Sequence, residues 1–114
     1  IRKHAAPYGS LDTRAIRHAA ETALEVVQEN GSILDVNTSG YRNGLGCPYP
    51  APEIVRKARD LGIPFCFGDD SHAVEEVGAA ILEAREYLLR NDVGTIIVLT
   101  SEEGRLVRKA VPLE

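Results

Sequence analysis

Residues 63–72, IPFCFGDDSH, pass from a short apolar run directly into two aspartates and a histidine. The run reads as a buried strand and GDDSH as its exit loop. Upstream, SILDVNTS at 32–39 is β-branched and partly alternating, which predicts another strand. It runs into GYRNGLGCPYPAP, whose glycines and prolines predict an irregular loop. Pro52 suits the first turn of a helix, because its missing N–H would go unpaired there, and EIVRKARDLG carries that helix to a glycine stop. Further back, Ile16, Ala20, Ala23, Leu24 and Val27 recur at helical spacing between Asp12 and Asn30, with Asp12 or Thr13 as N-cap and Gly31 as the stop. Beyond the opening stretch, AVEEVGAAILEAREYLLRND at 73–92 predicts one continuous helix with Val77, Ile81, Ala84 and Leu88 on one face. TIIVLTSEEGRLVRKAVPL predicts two strands around SEEG, as a hairpin or as an extra strand against the last helix.

Strand, loop and helix alternate, which predicts an α/β protein with parallel strands whose ligands gather at the strand carboxyl ends. Two loops leave strands directly: NTSGYRNGLG after SILDV, and GDDSHA after IPFCF. Both should project from the same end of the sheet or barrel.

A length of 114 residues suits one domain with a real core and is too short for two. With 44% hydrophobic and 26% charged residues, a largely disordered chain is excluded. The net charge of −4 disfavours nucleic acid and anionic membrane surfaces as partners. No apolar stretch approaches the roughly 20 residues that span a bilayer, and IRKHAAPYGS lacks the apolar centre of a signal peptide, so a cytoplasmic protein is expected. Cys47 and Cys66 form no C-x-x-C pair, and reduced thiols are the expectation. The chain opens on Ile1 and contains no methionine, from which a missing upstream segment is expected.

In Asp70-Ser71-His72 a carboxylate and an imidazole stand two residues apart, able to face one cavity. Aspartate is a hard oxygen ligand that can bridge cations, and neutral histidine offers nitrogen suited to Zn, Fe or Mn. Two ligands alone do not hold a catalytic metal. Taken by itself the pattern reads first as a helix cap, best supplied by Asp69, followed by a surface histidine. The other loop carries Asn37, Thr38, Ser39, Tyr41 and Arg42 among glycines. Guanidinium, hydroxyls and backbone N–H groups in such a setting can cradle an anion; the alternative is a solvated loop of turn formers. His18 reads as a surface residue of the first helix and His4 as a solvated one.

The stretch DVNTSGYRNGLGCPYPAPEIVRKARDLGIPFCFGDDSHAVEEVG, residues 35–78, resembles the C-terminal part of the polymerase and histidinol phosphatase (PHP) family, within its histidinol-phosphatase branch. That branch has an N-T-S-G-hydrophobic-R-x-G-L-G-x-P-Y-P-x-P-E loop and then, one helix and one strand later, G-S-D-A-H. The opening IRKHAAPYG is similar to the stretch after the family's G-H-L-D motif. The resemblance implies that residues 1–114 are the C-terminal portion of a distorted (β/α) barrel, incomplete on its own, with divalent metal ions (Zn, Mn or Fe) at the strand ends. Asp70 and His72 match the final ligand pair. The family's H-x-H, glutamate and further histidines have no counterpart in this chain. Asp69 stands where serine is usual, adding a negative charge that could tighten metal binding or compete as a ligand; Ser71 replaces alanine, and Ala51 replaces a capping serine.

The activity so implied is phosphomonoester hydrolysis, with L-histidinol phosphate as substrate. Asp70 and His72 would hold metal, Arg42 would neutralise the phosphate, and Tyr41, Ser39 and Thr38 would shape the pocket. Alternatives are another PHP phosphoesterase, or a non-catalytic partial barrel that completes a site with a partner. The expected partners are a phosphorylated small molecule and either an N-terminal PHP segment or a second copy of the chain.

Overall fold

The computed structural model describes residues 13–114. The chain runs α1 (Arg14–Glu29), β1 (Leu34–Asn37), α2 (Ser39–Arg42), α3 (Pro52–Asp60), β2 (Phe65–Gly68), a 3₁₀ turn (Val74–Glu76), α4 (Ile81–Leu89), β3 (Thr95–Glu102) and β4 (Arg105–Pro112). His4, Asp12 and the IRKHAAPYG stretch lie outside the described residues.

Helix α1 starts at Thr13, whose Oγ1 accepts the Ile16 N–H at 3.2 Å. It lies against α3, joined by the Lys57–Glu21 ion pair and by Gln28 Nε2 donating to Leu61 O at 2.6 Å. Pro52 opens α3 as expected, and Ala51 ahead of it offers no side-chain cap. Strands β1 and β2 pair in parallel, with Leu34 beside Phe65 and Val36 beside Phe67. Because side chains alternate along a strand, those four residues share the face that helices cover. Asp35, Asn37, Cys66 and Gly68 share the other. The core joins Val36 and Phe65 to Leu24 of α1, Val55 and Ala58 of α3, and Ala84, Tyr87 and Leu88 of α4. Val93, Ile96 and Leu113 close it from the hairpin side.

The second sheet is the antiparallel hairpin of β3 and β4, which forms no ladder with β1–β2. Glu102 pairs with Arg105, leaving Glu103 and Gly104 as a two-residue turn with both φ values positive, 50° and 75°. That is the turn whose twist matches the strands it joins. The mixed α/β architecture with a parallel pair therefore agrees with the sequence pattern.

Two expectations are corrected. The GYRNGLGCPYPAP segment is not wholly irregular, since its start belongs to the helical turn α2. Asn37 Oδ1 accepts the Ser39 N–H at 2.9 Å and so starts that turn. The continuous helix over 73–92 is also broken. Gly78 and Ala80 take positive φ values of 73° and 59°, and α4 begins only at Ile81. The cause is tertiary: the Asp69 carboxylate accepts the Gly78 N–H at 2.6 Å and the Thr38 hydroxyl donates to Ala79 O at 2.7 Å. These bonds draw the backbone out of the helical path. Val77 accordingly stays exposed, whereas Ala84 and Leu88 are buried.

Candidate functional site

The carboxyl ends of β1 and β2 are fastened to each other by Thr38 N–H donating to Gly68 O at 2.8 Å. The two loops singled out by sequence therefore leave the sheet side by side. From α2, Arg42 reaches across the gap, and its Nη2 donates to Asp69 O at 2.8 Å and Asp70 O at 2.9 Å. The same nitrogen lies 3.6 Å from Glu76 Oε2. No hydrogen bond from Arg42 Nη1 or Nε is present among the described residues, which leaves the N–H groups on these two nitrogens available.

Asp70 has φ of 51°, a left-handed conformation that a non-glycine residue adopts at some cost. Its side chain is exposed, and its carboxylate accepts no hydrogen bond among the described residues. His72 folds back so that Nδ1 lies 2.7 Å from Asp70 O, and its backbone N–H donates to Glu76 Oε2 at 2.8 Å. A carbonyl only accepts, so Nδ1 is the donor and Nε2 keeps its lone pair when the ring is neutral. One open carboxylate and one open imidazole nitrogen suit a borderline divalent metal. They amount to part of a coordination shell: among the described residues no group of three or more His, Cys, Asp or Glu side chains could hold an ion.

Asp69 is differently placed. Its Oδ1 accepts Ser71 N–H at 3.1 Å and Ser71 O–H at 2.8 Å, while Oδ2 takes Gly78 N–H. The Gly78 bond first, then the two from Ser71, hold this carboxyl below the usual range. The extra charge noted in sequence thus serves the loop's own backbone.

Thr38 and Ser39 are 1% and 5% exposed. The Thr38 hydroxyl is engaged by Ala79 O. Gly40 packs so closely on Cys47 and Pro48 that no Cβ fits there. Tyr41 is half-buried, and desolvation raises its phenol above its ordinary pKa. Of the residues singled out by sequence, the structure brings Arg42, Asp70 and His72 together, and it turns Thr38 inward.

Sequence reasoning missed Asp35. It lies on the helix-free face of β1 beside Gly68, whose lack of a side chain makes room for the Asp35 carboxylate. Desolvation raises its pKa, and the nearby charges of Asp70 and Asp69 raise it further against an opposing bond from Asn37. Burial of Cys66, with Asp35 nearby, pushes that thiol up. Strand alternation was the available signal, since Asp35 and Asn37 flank the buried Val36.

No family model matches the chain. A probable histidinol-phosphatase of Deinococcus radiodurans is 41% identical over 87 residues, covering 76% of this chain and 32% of that protein. The chain is related to the histidinol-phosphatases. The histidinol-phosphatase of Bacillus subtilis is 38% identical over 66 residues, and that of Saccharomyces cerevisiae 28% identical over 88. The chain spans a quarter to a third of the length of these histidinol-phosphatase relatives. No helix among the described residues is long and apolar enough to cross a membrane.

Proposed function

We propose that this chain supplies part of the active site of a metal-dependent, cytoplasmic phosphomonoesterase that hydrolyses L-histidinol phosphate. The carrying observation is that segments matching histidinol-phosphatases meet at one strand end, where Arg42 spans to the carbonyls of Asp69 and Asp70. On this reading the parallel pair is the C-terminal part of a PHP-type β/α barrel, and the remaining strands lie elsewhere in the polypeptide or on a partner.

Asp70 and His72 would hold a divalent ion through the free carboxylate and Nε2. Such an ion, when bound, polarises phosphoryl oxygens and lowers the pKa of water. Arg42 would present its remaining N–H groups, on Nη1 and Nε, to the phosphate as charge-assisted donors. Its Nη2 keeps the loop in place, so the phosphate meets a fixed donor rather than a mobile one. Asp35, whose carboxylate lies beside Gly68 and near Asp70, would border the space for the substrate's alcohol portion.

A second reading, a non-catalytic partial barrel that completes a site with another polypeptide or a second copy, is favoured by the incomplete ligand set among the described residues. Phosphate release from L-histidinol phosphate separates the two. Joined to the remaining length of a histidinol-phosphatase relative and supplied with Mn²⁺ or Zn²⁺, the chain should support turnover that Asp70→Ala or His72→Ala abolishes. Undiminished turnover in both variants overturns the proposal.

A further inference from the structure

We propose that Glu76 is a positioning residue which, with Arg42, locks the Asp70–His72 turn so that His72 always presents Nε2. The inference rests on the reading of Asp70 and His72 as a metal half-site and adds a residue that neither sequence motif contains.

The geometry is a closed circuit of four groups. Glu76 Oε2 accepts the His72 backbone N–H at 2.8 Å and faces Arg42 Nη2 at 3.6 Å. Arg42 Nη2 donates to Asp69 O and Asp70 O. Asp70 O also accepts from His72 Nδ1 at 2.7 Å. One carbonyl thus receives both the guanidinium and the imidazole, using both of its lone pairs. Glu76 holds the backbone of the same histidine from the other side. The left-handed Asp70 is the hinge of this turn, and a conformation of that kind persists only where its surroundings over-determine it. The short 3₁₀ turn at Val74–Glu76 serves to bring the carboxylate back over the residue four positions earlier.

The chemical consequence is tautomer selection. With Nδ1–H donated to a carbonyl, the neutral ring has its proton fixed on Nδ1 and its lone pair on Nε2. Hydrogen bonding of the non-ligating nitrogen orients a metal-binding histidine, and losing such support typically costs 10–100-fold in metal affinity. Glu76 acts here one step removed, by holding the backbone from which the ring folds back.

The test uses ¹⁵N-labelled protein at a pH of about 8, above the ordinary titration range of an imidazole. Wild type should show His72 protonated on Nδ1. In Glu76→Ala the two ring nitrogens should move toward a tautomer mixture, and the His72 amide should exchange roughly tenfold or more faster. Glu76→Gln keeps an acceptor for that N–H and should restore most of the amide protection. The Leu113 amide, bonded to Gly94 O at 2.9 Å, reports overall folding and should stay unchanged. A wild-type ring protonated on Nε2, or a His72 amide indifferent to Glu76→Ala, overturns the proposal. A separate titration with Zn²⁺ alone keeps the readings apart. If the tautomer and exchange effects are seen but wild type and Asp70→Ala take up Zn²⁺ equally, the half-site reading fails while the clamp stands.

Discussion

Replacing Gly40 with alanine tests how tightly the NTSG turn is wedged against the loop that follows it. A Cβ on Gly40 would lie 3.1 Å from both the carbonyl carbon and the Cα of Pro48, and closer still to the carbonyl oxygen of Cys47. Carbon atoms pack best about 3.5–4.0 Å apart, so the Pro48 contacts alone are tight by roughly 0.5 Å. All three atoms are backbone, and Pro48 is fully buried. Relief requires the 47–50 segment to move, and with it the Asn37–Tyr49 bridge that borders β1. Such overpacking costs about 1–3 kcal/mol. Alanine regains about 0.5–1 kcal/mol over glycine within a helix, too little to offset it. The expected outcome is a net loss of roughly 1–2 kcal/mol, read as a lower urea midpoint at unchanged slope. Gly68→Ala is the control: the three atoms nearest its Cβ all belong to the Asp35 carboxylate, the first 2.5 Å away, and that side chain can swing aside. Its loss should stay below about 1 kcal/mol. A Gly40→Ala protein as stable as wild type, or less affected than Gly68→Ala, refutes the wedging argument.

Three further outcomes are expected. Thr38→Val keeps the shape of a buried side chain but leaves Ala79 O without its donor, and should cost about 1–3 kcal/mol by urea unfolding; an unchanged midpoint contradicts this. Asp35 has a raised folded pKa, so the folded state binds protons more readily than the unfolded one and its stability falls as pH rises from about 4 through the raised value. Asp35→Asn should flatten that slope and be more stable at pH 7, and an identical pH profile in the variant removes the effect. In the joined enzyme, Arg42→Lys should lower kcat/KM about 10²–10³-fold, because an ammonium cannot hold two loop carbonyls and a phosphate together; wild-type kinetics would take Arg42 out of the site.

Hydrophobic spacing carried most of the fold. The apolar positions of α1, the proline at the head of α3 and the paired runs around Val36 and Phe65 each point to the element that forms. The hairpin turn at Glu103-Gly104 was legible for the same local reason. What was hidden is what depends on contacts across the chain. Nothing local at 77–80 reveals that Asp69 and Thr38 will pull that backbone out of a helix, and a periodic apolar face argues the opposite. The site divides in the same way. Arg42, Asp70 and His72 were visible as residue types in loops leaving strands, and the structure brings them together. Glu76 enters only because the turn folds back on itself. Asp35 was within reach of the alternation argument, but a charged residue inside a strand draws less notice than one in a loop. Thr38 looked like a loop hydroxyl available to a ligand; its burial beneath Ala79 becomes visible only once β1 and β2 are fastened together.

Metal uptake by single-site variants tests the central claim most directly. The chain, joined to the remaining length of a histidinol-phosphatase relative, would be dialysed to equilibrium against Zn²⁺ and its metal content measured by elemental analysis. Asp70→Ala and His72→Ala should each bind more weakly by at least the roughly 10–100-fold that loss of a ligand's supporting partner costs. Asp69→Ala should lose less affinity than either, because the Asp69 carboxylate is turned toward Ser71 and Gly78 rather than outward. Full occupancy in the Asp70 and His72 variants, or loss confined to Asp69→Ala, would contradict the account.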